Sequence, residues 1–87
     1  MFGVMPQAER AEIIKEFLKW LEAKSKKGGA TRGECIRHIQ TELTDMGAEP
    51  QRCMKYILAC CQVNFIQIDG LKYRLTEDGK NWLQRKI

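Results

Sequence analysis

The run Tyr56-Ile57-Leu58-Ala59-Cys60-Cys61-Gln62-Val63-Asn64-Phe65-Ile66-Gln67-Ile68-Asp69-Gly70-Leu71-Lys72-Tyr73-Arg74-Leu75-Thr76-Glu77-Asp78-Gly79 changes its hydrophobic period partway along, and that change decides the fold. Up to Cys61 the apolar residues recur at helical spacing, and Met54, Ile57, Leu58 and Cys61 are the expected buried face of a helix. Asn64 reads as a left-handed stop. From Phe65 the period is two, and Asp69-Gly70 between alternating segments is the strongest short hairpin signal. In that register Ile66, Ile68, Leu71, Tyr73 and Leu75 share one face, while Gln67, Lys72 and Arg74 share the other, expected to be wet. Thr76 then opens a last short helix carrying Trp82, Leu83 and Ile87.

Working back from this run, the same helix is expected to begin at Pro50, whose missing N–H is one that a first helical residue leaves unpaired anyway. Arg52, Lys55, Tyr56 and Ala59, with Gln51 and Gln62 beside them, fall on its outer side. A second helix starts at Thr31, where Thr31 and Glu34 have the spacing of a capping box. It carries Ile36, Ile39 and Leu43, with Cys35 at the margin, and stops at Gly47. A first helix spans about Gln7 to Ser25, with Ile13, Ile14, Phe17, Leu18 and Leu21 in one stripe that Trp20 widens. Lys24, Lys26, Lys27, Gly28 and Gly29 end it, cations near the negative end of the dipole and glycines beyond.

Eighty-seven residues make one small domain, 1–87, with 1–6 as an N-terminal extension. A hydrophobic share of 44% and a charged share of 30% fit a folded chain rather than a disordered one. No apolar run approaches the roughly 20 residues of a membrane span, and Met1 to Pro6 lack the basic start of a signal peptide, so a cytoplasmic location is expected. The net charge of +4 and pI near 9.0 are compatible with a polyanionic partner without requiring one. Between residues 50 and 75 the cations Arg52, Lys55, Lys72 and Arg74 face Asp69 alone.

The order helix, helix, helix, hairpin, helix resembles the winged-helix family over about Glu9 to Leu83. The segment 56–66 is similar to the L-x-x-L-x-x-x-G-[LF]-I that ends a recognition helix, and 73–79 closely matches the Y-x-L-T-x-x-G after the wing in MarR-like, PadR-like and many archaeal regulators. Asn64 replaces the usual glycine, and the wing tip is very short. The resemblance implies an α+β winged helix-turn-helix: three helices, a two-stranded wing and a C-terminal helix.

That resemblance further implies a DNA-binding regulator whose third helix, Pro50 to Gln62, enters the major groove of double-stranded DNA. Arg52 is then placed to pair with guanine and Gln51 with adenine. Lys55 and Tyr56 reach phosphates, and Ala59 lets the backbone lie close to the duplex. Lys72 and Arg74 project from the wing, and Arg32 adds a phosphate contact at the start of the second helix. Against this stands the plain fact that any amphipathic helix has a polar outer face. Winged helices also serve as docking modules for other proteins, so a protein–protein interaction module is the alternative.

The four cysteines (Cys35, Cys53, Cys60, Cys61) read as reduced, mostly buried thiols, with Cys60 nearer the surface than its neighbour. Cys35 and His38 match no common zinc spacing, so no metal or cofactor is expected. A thiol sensor at Cys60-Cys61 is the weakest reading. His38 has no partner acid or nucleophile in sequence, and no phosphate loop or paired carboxylates suggest an enzyme. A homodimer is expected through the first helix, at Trp20, and the N-terminal Phe2, Val4 and Met5, with Trp82 and Ile87 adding apolar surface.

Overall fold

The first helix, α1 (Ala8–Ser25), buries Ile13, Ile14, Phe17, Leu18 and Leu21, the stripe expected from their spacing. The computed structural model describes residues 8–85, with side chains from residue 11. Phe2, Val4, Met5 and Ile87, expected at a dimer contact, lie outside the described residues.

After α1 the chain makes a strand that periodicity did not reveal. β1 (Ala30–Thr31) is two residues long and leads directly into α2 (Arg32–Glu42). The capping box forms as expected: the Thr31 hydroxyl accepts from the Glu34 N–H at 3.2 Å, and the Glu34 carboxylate accepts from the Thr31 N–H at 2.9 Å. A 3-10 turn, Thr44–Met46, runs to Gly47, and a second, Pro50–Arg52, precedes α3 (Cys53–Gln62). Pro50 therefore opens a 3-10 turn, and the α-helix proper begins three residues later than its sequence suggests.

The buried face of α3 is also turned from expectation. Cys53, Ile57 and Cys60 enter the core, whereas Met54 and Cys61 are half-buried and Leu58 is 52% exposed. Both 53/57/60 and 54/58/61 have helical spacing, about 100° apart. Packing against α2 and the sheet centres the wide apolar arc on the first set. Cys60 is consequently buried and Cys61 is the more accessible of the pair, the reverse of the expected order.

Asn64 takes the left-handed conformation, φ 65°, and the chain enters β2 (Ile66–Asp69) and β3 (Lys72–Leu75). Together with β1 they form a three-stranded antiparallel sheet in the order β1-β3-β2, not a two-stranded hairpin alone. Ile66 faces Leu75, Gln67 faces Arg74, Ile68 faces Tyr73 and Asp69 faces Lys72, while Ala30 and Thr31 pair with Tyr73 and Lys72. The two loop residues are Gly70 and Leu71, one later than the Asp-Gly signal suggested. Leu71 is thus lifted off the apolar face to the tip, 84% exposed. The remaining face assignments hold, with Ile66 and Leu75 buried and Ile68, nearer the tip, exposed.

α4 (Glu77–Gln84) closes the fold against α1. Thr76 caps it, its hydroxyl accepting from the Gly79 N–H at 3.0 Å and donating to the Asn64 carbonyl. Asn64 Nδ2 in turn donates to Asp78 at 2.9 Å, and Phe65 packs on Trp82 with ring centroids 5.2 Å apart. Gly79 is needed for space: a Cβ there would stand 2.7 Å from the Phe65 carbonyl oxygen and 2.6 Å from Leu75 Cδ1. The described residues thus form an α+β fold of four α-helices and a three-stranded antiparallel sheet around one core.

Candidate nucleic-acid interface

The expected site residues divide between two surfaces, the outer side of α3 with its preceding turn, and the polar face of the sheet. On the first, Gln51, Arg52 and Lys55 are exposed, and Tyr56 and Ala59 are half-buried. Helical spacing puts Lys55, Leu58, Ala59 and Gln62 on one outer stripe.

Arg52 and Tyr56 both converge on Glu49 rather than pointing free of the protein. Arg52 Nε lies 3.0 Å from Glu49 Oε1, and the Glu49 N–H donates to the Tyr56 hydroxyl at 3.3 Å. Gln40 Nε2, from α2, donates to the Pro50 carbonyl at 3.4 Å and steadies the same turn. Tyr56 is thus a brace between α3 and the turn before it. Glu49 lies one residue ahead of the cation-rich stretch 50–75, yet it is the acid that engages Arg52.

The polar face of the sheet carries two cations, and a third from a remote part of the chain lies close by. Lys72 and Arg74, two apart on β3, share a face and are both exposed. Pairing of Thr31 with Lys72 sets Arg32, the next residue and also exposed, at the same end of the sheet. Arg74 Nε donates to the Gly28 carbonyl at 3.3 Å, which ties it to the turn after α1. Two acids lie nearby: Asp69 stands across from Lys72 in the sheet, and Glu34 closes its capping box. The Thr31 backbone N–H, aided by Lys24 and Lys72, holds the Glu34 carboxyl below its usual range despite a partly opposing desolvation.

The remaining candidate groups of the sequence have structural surroundings. Burial pushes the Cys35 and Cys60 thiols up to about 12, and it raises Cys61 as well, so none is an activated thiolate. His38 stacks on Trp20, ring centroids 4.4 Å apart and planes 8° from parallel. Trp20 also stacks on Phe17 at 5.8 Å, with the Lys24 ammonium 5.7 Å from its ring. The indole expected at a dimer contact is therefore half-buried between α1 and α2. Among the described residues no group of three or more His, Cys, Asp or Glu side chains could hold a metal ion, and no helix is long and apolar enough to cross a membrane.

Three features escaped the sequence reading: the exposure of Leu58, the Glu49 partner of Arg52, and the approach of the Lys26-Lys27 turn to Arg74. The first would need the rotation of α3 to be known, the second is a local pair three residues apart set by the turn before α3, and the third depends on tertiary packing. Comparison with known families, curated proteins and solved structures finds no match in any of the three.

Proposed function

We propose that the chain is a winged helix-turn-helix domain that binds double-stranded DNA, with no catalytic step of its own. The order α1, β1, α2, α3, β2, β3, α4 and the β1-β3-β2 sheet support the fold assignment. The observation that carries the functional reading is that Lys72 and Arg74 share the polar face of β3, while the Thr31–Lys72 pairing brings exposed Arg32, from a second segment, close to the Lys72 end of the strand. Clustered cations of this kind neutralise phosphates and release counterions.

In this reading α3 lies in the major groove. Gln51, Lys55, Ala59 and Gln62 meet the duplex, and Leu58 is set to contact a thymine methyl. Arg52 reaches a base only by leaving Glu49, an exposed ion pair whose loss costs about 0–1 kcal/mol. A bidentate guanine contact, worth about 1–3 kcal/mol of discrimination, outweighs that. Tyr56 acts by bracing the turn that carries Gln51 and Arg52. Two-fold assembly through α1 and the N-terminal segment belongs to the same proposal and places paired α3 helices about one DNA turn apart.

The test is binding to random-sequence duplex between about 50 and 200 mM salt. Affinity should fall steeply with salt, and Lys72→Ala with Arg74→Ala should flatten the log–log slope by up to roughly two units. A second reading, docking to another protein, is favoured by the exposure of Leu58 and Leu71 on the same two elements that would approach DNA. Salt-independent absence of duplex binding would select it.

A further inference from the structure

The turn after α1 carries Lys26 and Lys27, which sequence alone explains as a helix end. Their position in the fold gives them a further use. α1 closes with two nested bonds, Gly29 N–H to the Lys24 carbonyl at 2.8 Å and Gly28 N–H to the Ser25 carbonyl at 3.1 Å. That is the hydrogen-bond pattern of a Schellman ending. The ending is pressed against β3. A Cβ on Gly29 would stand 2.9 Å from the Tyr73 carbonyl oxygen, 3.0 Å from Arg74 Cγ and 3.2 Å from Lys72 Cβ. Gly29 also has φ +103°, so both space and backbone conformation require glycine there. Arg74 Nε closes the contact on the Gly28 carbonyl at 3.3 Å.

Two cationic clusters 46 residues apart are thereby held side by side. Lys26 and Lys27 are exposed, as are Arg32, Lys72 and Arg74. From Gly28 to Arg32 the extended chain spans at most about 14 Å. A DNA strand repeats its phosphate about every 3.4 Å along the axis and farther apart along the backbone itself, so cations spread over such a length face more than one phosphate. A turn whose only task was to end α1 would not need to be docked on the arginine of another cationic cluster.

We propose that Lys26 and Lys27 form, with Arg74, Lys72 and Arg32, one continuous ridge that binds the sugar-phosphate backbone of duplex DNA beside the groove occupied by α3. This rests on the DNA-binding reading above and adds to it a contact surface at the α1–β1 turn. The ridge is sequence-blind: lysine ammoniums at the surface act as point charges, giving affinity and register but no base discrimination.

The experiment measures anisotropy of a labelled random-sequence duplex against salt for the full chain and for Lys26→Gln with Lys27→Gln. Both residues lie beyond the last helical residue and are exposed, and thermal melting of the variant checks that the fold is kept. The expected result is a slope reduced in magnitude by up to about 1.8, near 0.9 for each phosphate no longer neutralised. In parallel, amine acylation with mass-spectrometric readout should show Lys26 and Lys27 protected by the duplex, with exposed Lys19 on α1 as the unprotected reference. A wild-type chain that binds duplex while the variant keeps its slope and Lys26 and Lys27 stay fully reactive overturns the ridge and leaves the α3 reading standing. A wild-type chain that binds no duplex at any salt overturns both.

Discussion

Ser25 Oγ accepts the backbone N–H of Leu75 at 2.9 Å, across 50 residues of sequence, and donates to the Leu21 carbonyl at 2.8 Å. The bond has a structural cause. β1 is only two residues long and its pairing ends at Ala30 with Tyr73, so no β1 residue stands opposite Leu75. The hydroxyl at the end of α1 takes the place of a strand carbonyl. It fastens the last turn of α1 to β3 and so sets where the following glycines and lysines lie.

Ser25→Ala should therefore destabilise the chain by about 1–2 kcal/mol, the range for leaving a partly buried donor unpaired. Urea unfolding reads this directly, and Ser25→Thr should recover most of the loss. The Leu75 amide should also lose protection from hydrogen exchange in the alanine variant. An unchanged midpoint would mean that water replaces the hydroxyl without cost.

The thiols give a second prediction. Cys35, Cys53 and Cys60 are buried, with burial raising Cys35 and Cys60 to about 12, whereas Cys61 is half-buried. Brief alkylation of the native chain near neutral pH should mark Cys61 first and slowly, and reach the others only on unfolding. Peptide mapping decides it. Labelling of Cys60 ahead of Cys61 would mean that α3 is rotated toward the 54/58/61 register.

That rotation marks the limit of what the residues revealed. The capping box at Thr31, the left-handed Asn64 and the Thr76 cap each rest on local hydrogen bonds and were legible. β1 was not, because Ala30-Thr31 is too short to carry a period and is a strand only through its pairing with Tyr73 and Lys72. The buried face of α3 was ambiguous because six apolar or thiol residues span both possible stripes, and only packing chooses between them. Within the site, exposure of Gln51, Arg52, Lys55, Lys72 and Arg74 follows from pattern. The attachment of Arg52 to Glu49 and of Arg74 to Gly28 depends on turn geometry that composition does not encode.

A third prediction concerns pH. His38 is stacked on Trp20, and desolvation holds its imidazole below the ordinary value of 6.5, against the opposing pull of Glu42 and Glu16 and with a small push from Lys24. The fold thus prefers the neutral ring. As pH falls below 6.5 the unfolded chain takes up the proton first, so stability falls until the folded value is passed. Comparing urea midpoints at pH ~7.5 and ~5.5 should show lower stability on the acid side. His38→Phe, which keeps an aromatic ring but cannot titrate, should shrink that difference. An equal difference in both proteins would assign it to carboxylates elsewhere.

The last prediction uses Leu58 to separate the two functional readings. The side chain is 52% exposed and lies on the α3 stripe with Lys55 and Gln62, so replacing it leaves the core formed by Cys53, Ile57 and Cys60 intact. Leu58→Arg should therefore melt within about 0.5 kcal/mol of the parent, as surface changes do. If α3 faces a duplex, the added cation should tighten binding to random DNA and steepen the salt slope by about 0.9. If α3 instead presents Leu58 to an apolar site on another protein, a buried arginine without a partner should abolish that association. Duplex affinity that does not change, in a variant that still folds, would place α3 away from the nucleic acid and leave only the sheet face to bind it.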